Sequence, residues 1–144
     1  MKRIIATFIL LAGVTSMAMA DERPISVNSL PKAAVEFIKG NFPNIPVVLA
    51  TVDREIMDTD YEVRLEDGTT IDFNGKGNWV EVSNKRTALP SSVLPKPIAT
   101  YIKSNYPSDK CLKIEQNSYS YEVKLTNGLE IVFSLDGKMI GYDD

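Results

Sequence analysis

Two hydrophobic periods alternate along the chain, and each occurs twice. Ala34, Phe37 and Ile38 recur at helical spacing and gather one apolar stripe, as do Ile98, Tyr101 and Ile102 further on. Pro31 and Pro95 suit the first helical turn, where a missing N–H costs nothing, and Pro43 and Pro107 stop each helix twelve residues later. The period then falls to two. Val48, Ala50 and Val52, then Tyr61, Val63 and Leu65, recur at every second position; Leu112 and Ile114, then Tyr121, Val123 and Leu125, do the same in the second half. Such alternation predicts strands with one buried face.

The two halves are one unit written twice. Leu30-Pro31-Lys32 falls on Leu94-Pro95-Lys96 at a shift of 64 (94 − 30), and Asn41-Phe42-Pro43 falls on Asn105-Tyr106-Pro107. Tyr61-Glu62-Val63-Arg64-Leu65 falls on Tyr121-Glu122-Val123-Lys124-Leu125 at a shift of 60 (121 − 61), as do Gly68 on Gly128, Phe73 on Phe133 and Gly77 on Gly137. The loop between the two blocks is therefore four residues longer in the first copy (64 − 60).

Turn chemistry sets register. A three-residue loop ending on Gly128 pairs Leu125 with Leu129, Val123 with Ile131 and Tyr121 with Phe133, keeping one face apolar, whereas a two-residue loop scrambles that face. The same loop puts Lys124 opposite Glu130 on the outer face. The last hairpin of each copy turns at Lys76-Gly77 or Asp136-Gly137. Two residues there bring Val80 and Val82 inside with Phe73 and Ile71, bring Ile140 and Tyr142 inside with Phe133 and Ile131, and turn Trp79 and Met139 outward; three residues swap the faces. We take the first register. The fold class is α+β: two tandem α-β-β-β-β repeats, about eight strands in one antiparallel sheet, both helices on one face and the other face open. The repeats span residues 21–84 and 85–144, with the connector in Asn84–Val93.

Residues 1–20 read as an export signal, with Lys2 and Arg3 before an apolar run from Ile4 to Val14, and Ala18 and Ala20 set for cleavage before Asp21. The run is too short to cross a bilayer, and no second one follows. The mature chain is expected in the periplasm or secreted. Of 16 basic residues two lie in the signal, so 14 face 19 acidic ones and the mature chain carries about five negative charges. That balance excludes a nucleic-acid footprint.

With no histidine in the chain, Ser–His and Cys–His nucleophiles and imidazole metal sites are excluded. Cys111, the only cysteine, reads as a small apolar strand residue rather than a reactive thiol or an intermolecular bridge. Glu62 and Asp72 are expected as cross-strand neighbours, a pair that a glycosidase would need in a cleft, but Glu122 meets Val132 at the matching place, and a solvated outer face is the plainer reading. Asp58-Thr59-Asp60 and the Asn74–Asn78 turn lack the spaced acids and closing glutamate of a calcium loop. No catalytic residue, cofactor or metal site is expected. The open face is the better candidate: Trp79 and Met139 among Glu62, Arg64, Glu122 and Lys124 would give an aromatic anchor with a polar surround, although Trp79 reads equally as a core or rim residue. Sheet edges offer a second mode, strand addition.

Leu-Pro, an amphipathic helix, Asn-Phe/Tyr-Pro, then Tyr-Glu-Val-x-Leu-x-Asp/Asn-Gly-x-x-Ile-x-Phe and a closing Gly-Asn/Lys-Trp/Met hairpin resemble the PepSY-like repeats of periplasmic proteins from Bacteroides-type bacteria, from Leu30 to Tyr142 in both copies. That family is similar to the β-lactamase-inhibitor-protein fold, whose tandem repeats form one continuous sheet. The resemblance implies eight strands with both helices on one side, and inhibition or chaperoning of an exported enzyme as the kind of work done. The expected function is therefore non-catalytic binding of another protein through the open sheet face; the alternative is a small-ligand or envelope-sensing module.

Overall fold

The computed structural model describes residues 22–143; the expected signal peptide and its cleavage point lie outside the described residues. Two ten-residue helices, α1 (Lys32–Asn41) and α2 (Lys96–Asn105), are each followed by four strands. After a short β1 (Glu22–Pro24), the first copy holds β2 (Val47–Glu55), β3 (Asp58–Leu65), β4 (Thr70–Asn74) and β5 (Trp79–Ser83). The second holds β6 (Cys111–Gln116), β7 (Ser120–Leu125), β8 (Glu130–Ser134) and β9 (Met139–Asp143). All nine strands form one sheet in chain order, each antiparallel to its neighbours. The expected eight are present, and β1 adds a ninth along β2.

Neither helix is long enough to hold itself in water. Each is held by its stripe: Ala34 and Ile38 of α1, and Ile98 and Ile102 of α2, are buried in one continuous core with Val63, Leu65, Ile71, Phe73, Ile114, Val123, Leu125, Ile131 and Phe133 from the sheet. Phe37 packs edge-on against Phe73 at 5.9 Å, and Tyr101 repeats the contact on Phe133 at 5.4 Å.

The turns at Gly68 and Gly128 have the expected three residues: the Leu125 N–H donates to Leu129 O at 2.9 Å, Gly128 takes φ +90°, and Tyr121, Val123 and Lys124 stand opposite Phe133, Ile131 and Glu130. The last hairpins correct the chosen register. Asn74 Oδ1 accepts the N–H groups of Lys76 and Asn78 at 3.0 Å, and Gly77 has φ +87°, so this turn too holds three residues and Phe73 faces Trp79. A bulge then inserts Val80, after which Asp72 meets Glu81 and Ile71 meets Val82. Ile140 is the matching insertion in β9, between Met139 opposite Phe133 and Gly141 opposite Val132. Each hairpin thus uses one register at its tip and the other at its base. The turn's hydrogen bonds dictate the first, the core's need for Val82 dictates the second, and one extra residue reconciles them. Trp79 and Met139 consequently lie on the helix side, packed against the core, and not on the open face where they were expected; Val80 and Ile140 do not join the core, and Tyr142, although it faces Ile131, stays exposed rather than inside as expected.

The copies are joined by β5 and β6, where Glu81, Val82 and Ser83 face Glu115, Ile114 and Lys113. Asn84, buried at the start of the connector, ties that connector to the turn between β3 and β4. Its Nδ2 donates to Asp67 O at 3.2 Å and Thr69 Oγ1 at 3.1 Å, while its Oδ1 accepts the N–H groups of Arg86 and Thr87 at 2.8 Å.

Candidate functional site

The face of the sheet opposite the helices is built from the alternate residues of every strand. Cross-strand register lines them into rows. Glu62 faces Asp72, Asp72 faces Glu81, Glu81 faces Glu115, and Glu115 faces Glu122, so five carboxylates stand side by side on five adjacent strands. At ~4.8 Å per strand the row spans roughly 19 Å. A second row runs beside it through Arg64, Thr70, Ser83, Lys113, Lys124 and Glu130. It supplies cations to the row: Arg64 Nε lies 3.5 Å from Glu62, and Lys113 Nζ lies 3.6 Å from Glu115. Like charges in directly facing positions weaken a sheet. Four such pairs stand in succession here.

Each end of the face has its own acidic cluster. Near β1, a shallow cavity of about 190 Å³ is lined by Glu22, Thr51, Asp53, Asp60, Glu62 and Asp72. Asp53 Oδ1 there is buried and makes no hydrogen bond. Near β9, oxygens of Glu122, Glu130 and Asp143 lie within 4.8 Å of one another. Burial lifts the Glu122 carboxyl above its ordinary range, and a hydrogen bond to Asp143 adds to the rise.

Of the residues expected on this face, Glu62, Arg64, Glu122 and Lys124 are there; Trp79 and Met139 are not. Trp79 instead fills the seam between the copies, its ring 6.2 Å from Phe37 on α1 and 6.4 Å from Tyr121 on β7, while Gln116 Nε2 donates to its carbonyl at 2.7 Å. Glu62 and Asp72 are cross-strand neighbours as expected, and in the second copy Glu122 faces Val132. Glu81 and Glu115 were missed. Both alternate correctly within their strands, but only the joint between β5 and β6 brings them together, and no turn in the sequence sets that register. Cys111 is buried, its thiol is pushed up to about 12 by that burial, and its Sγ donates to Lys113 O at 3.3 Å; it is a structural residue, not a nucleophile.

A helix-plus-four-strand unit repeated in tandem, closing into one sheet with both helices on one side, defines a repeat protein of α+β class in which, among the described residues, no helix covers the charged sheet face. The sequence model described as "Putative beta-lactamase-inhibitor-like, PepSY-like" matches residues 17–70 and 59–141, and the chain belongs to this PepSY-like family. Among solved structures, a "putative periplasmic protein" of the DUF2874 family from Bacteroides vulgatus is 42% identical with TM-score 0.80, covering 86% of this chain and 98% of that one. A "putative calcium-regulated periplasmic protein" from Bacteroides thetaiotaomicron is 40% identical with TM-score 0.82, over 86% and 98%. A third, from Bacteroides vulgatus and described as of unknown function, is 37% identical with TM-score 0.79, over 85% and 99%. Comparison with curated proteins finds no match. No helix among the described residues is long and apolar enough to cross a membrane.

Proposed function

We propose that this is a non-catalytic periplasmic protein that binds, and thereby inhibits or restrains, another exported protein through the open face of its sheet. The row Glu62, Asp72, Glu81, Glu115 and Glu122 carries the reading. A row of carboxylates across five adjacent strands is complementary in charge to a partner presenting lysines or arginines along an extended surface. The partner's chemistry is therefore basic. Capture from a periplasmic extract on the immobilised mature chain tests this, with a Glu81→Lys, Glu115→Lys double variant in parallel. A specific protein should be retained at about 0.05 M salt, released at about 0.5 M, and not retained by the double variant. Retention that ignores both changes removes this face from consideration.

A second reading, small-ligand binding, is favoured by the orphaned Asp53 Oδ1 in its acidic cavity. Calcium takes six to eight oxygens, several of them carboxylate. The "calcium-regulated" description of the Bacteroides thetaiotaomicron relative supports the same ion. Calcium at about 1 mM should raise the melting temperature of the mature chain by a few degrees, and Asp53→Asn should abolish the rise. An unchanged melting temperature discards this reading and leaves the first intact.

A further inference from the structure

The two copies match strand for strand but differ at their outer flanks. β5 of the first copy gives its outer edge to β6. β9 is the counterpart of β5, with Tyr142 at the place of Val82: Tyr142 faces Ile131 as Val82 faces Ile71. Among the described residues, no strand pairs with its outer edge. β2 is likewise the counterpart of β6, since Ala50 faces Val63 as Ile114 faces Val123. Its outer edge bears not a five-residue strand but β1, three exposed residues. β1 runs antiparallel to β2, as β5 does to β6; Pro24 stands opposite Thr51 where Glu81 stands opposite Glu115, and the Ile25 N–H donates to Ala50 O at 2.8 Å. Glu22–Ile25 thus occupies the place of the last strand of a preceding repeat.

We propose that the outer edge of β9 is an interface for the β2 edge of a second copy of this chain, in the register that joins β5 to β6, and that β1 is a displaceable guard on that edge. The correspondence pairs Gly141 with Thr51, Tyr142 with Ala50 and Asp143 with Leu49. On the helix side, large Tyr142 meets small Ala50 where Val82 meets Ile114 in the existing joint. On the open side, Gly141 and Thr51 stand where the internal joint has Glu81 and Glu115, so no like charges face each other across this joint. The backbone is oriented for it. Asn84 N donates to Leu112 O at 2.9 Å, which makes Val82 and Ile114, two residues along, a hydrogen-bonded pair. By correspondence Tyr142 points its N–H and C=O away from β8. β9 also has no proline or lysine within it and leaves Ile140 61% exposed, lacking the usual protections of an edge. The guard is lightly held: Glu22, Arg23 and Pro24 bury no side chain, and the one side-chain bond from them to β2 is Thr51 Oγ1 to Glu22 at 3.3 Å. Each copy offers one edge of each kind, so the contact is head-to-tail.

Thr51→Cys with Gly141→Cys tests the register. The two positions lie on opposite flanks of one copy, seven strand spacings or roughly 34 Å apart, too far for a bridge within a chain. A side chain at 141 meets nothing within 4 Å. Under mild oxidation the mature chain should cross-link slowly, and a chain shortened to begin at Ser26 should form a ladder of linked oligomers at least about tenfold faster, the effect of losing the guard's ladder bonds and one apolar contact. Tyr142→Pro in the shortened chain should abolish the ladder. If circular dichroism shows the shortened chain unfolded, Ile25→Gly in the mature chain replaces it and should likewise speed the linking. Absence of a ladder in a folded shortened chain, a rate unchanged by Ile25→Gly, or a ladder indifferent to Tyr142→Pro would each overturn the proposal.

Discussion

Trp79 shows how one side chain can be read correctly as important and placed on the wrong side. Its alternation with Val80 and Val82 admits two registers, and the bulge at Val80 satisfies both. Because the ring bridges Phe37 and Tyr121, it belongs to the stability of the seam. Trp79→Ala should cost about 2–4 kcal/mol in denaturant unfolding, the loss expected when a half-buried aromatic leaves a cavity. An open-face contact residue would cost almost nothing in the same measurement. Glu122 makes a second prediction. Its folded carboxyl titrates above its unfolded value, so the native state binds more protons, and the group lowers stability as pH rises from the unfolded carboxylate range through the folded one. Glu122→Gln should therefore melt at a higher temperature than the parent at pH 7, and the difference should vanish below about pH 4. A difference independent of pH would show that the effect is not titration. These residue-level properties were poorly legible because they depend on neighbours contributed by distant strands.

At the scale of the element, much more was legible. Helix limits follow from Pro43 and Pro107, and the register of β7 with β8 follows from the three-residue turn at Gly128 together with the demand for one apolar face. Two glycines of equal backbone geometry separate conformation from packing. Gly128 has φ +90° and open space around a would-be Cβ; Gly77 has φ +87°, but its Cβ would come 2.7 Å from the Pro31 side chain at the start of α1. Gly128→Ala should cost about 1–2 kcal/mol, the price of a left-handed alanine. Gly77→Ala should cost more, by roughly 1–3 kcal/mol of overpacking against the helix. Equal losses in the two variants would mean that the hairpin tip does not bear on α1. β1 was not legible as a strand, because Glu-Arg-Pro has neither alternation nor β propensity; its extended form comes from the edge it lies on.

The whole molecule was legible as a repeat, since the 64- and 60-residue shifts and the change of period fix the number and order of elements. What escaped was how the copies meet. The row of five carboxylates and the setting of Trp79 both arise at the joint between β5 and β6, where pairing is non-local and no turn signals it. One core runs beneath both copies, so thermal unfolding should be a single transition by both Trp79 fluorescence and circular dichroism. Two separated transitions would show that each copy holds its own core. The chain-order sheet also bears on how the protein reaches its shape. Every strand pairs only with those immediately before and after it in the chain, so the widest gaps to close are the two that span α1 and α2. A chain that emerges amino-end first can therefore add each strand to the edge already formed, and among the described residues β9 is the last to join.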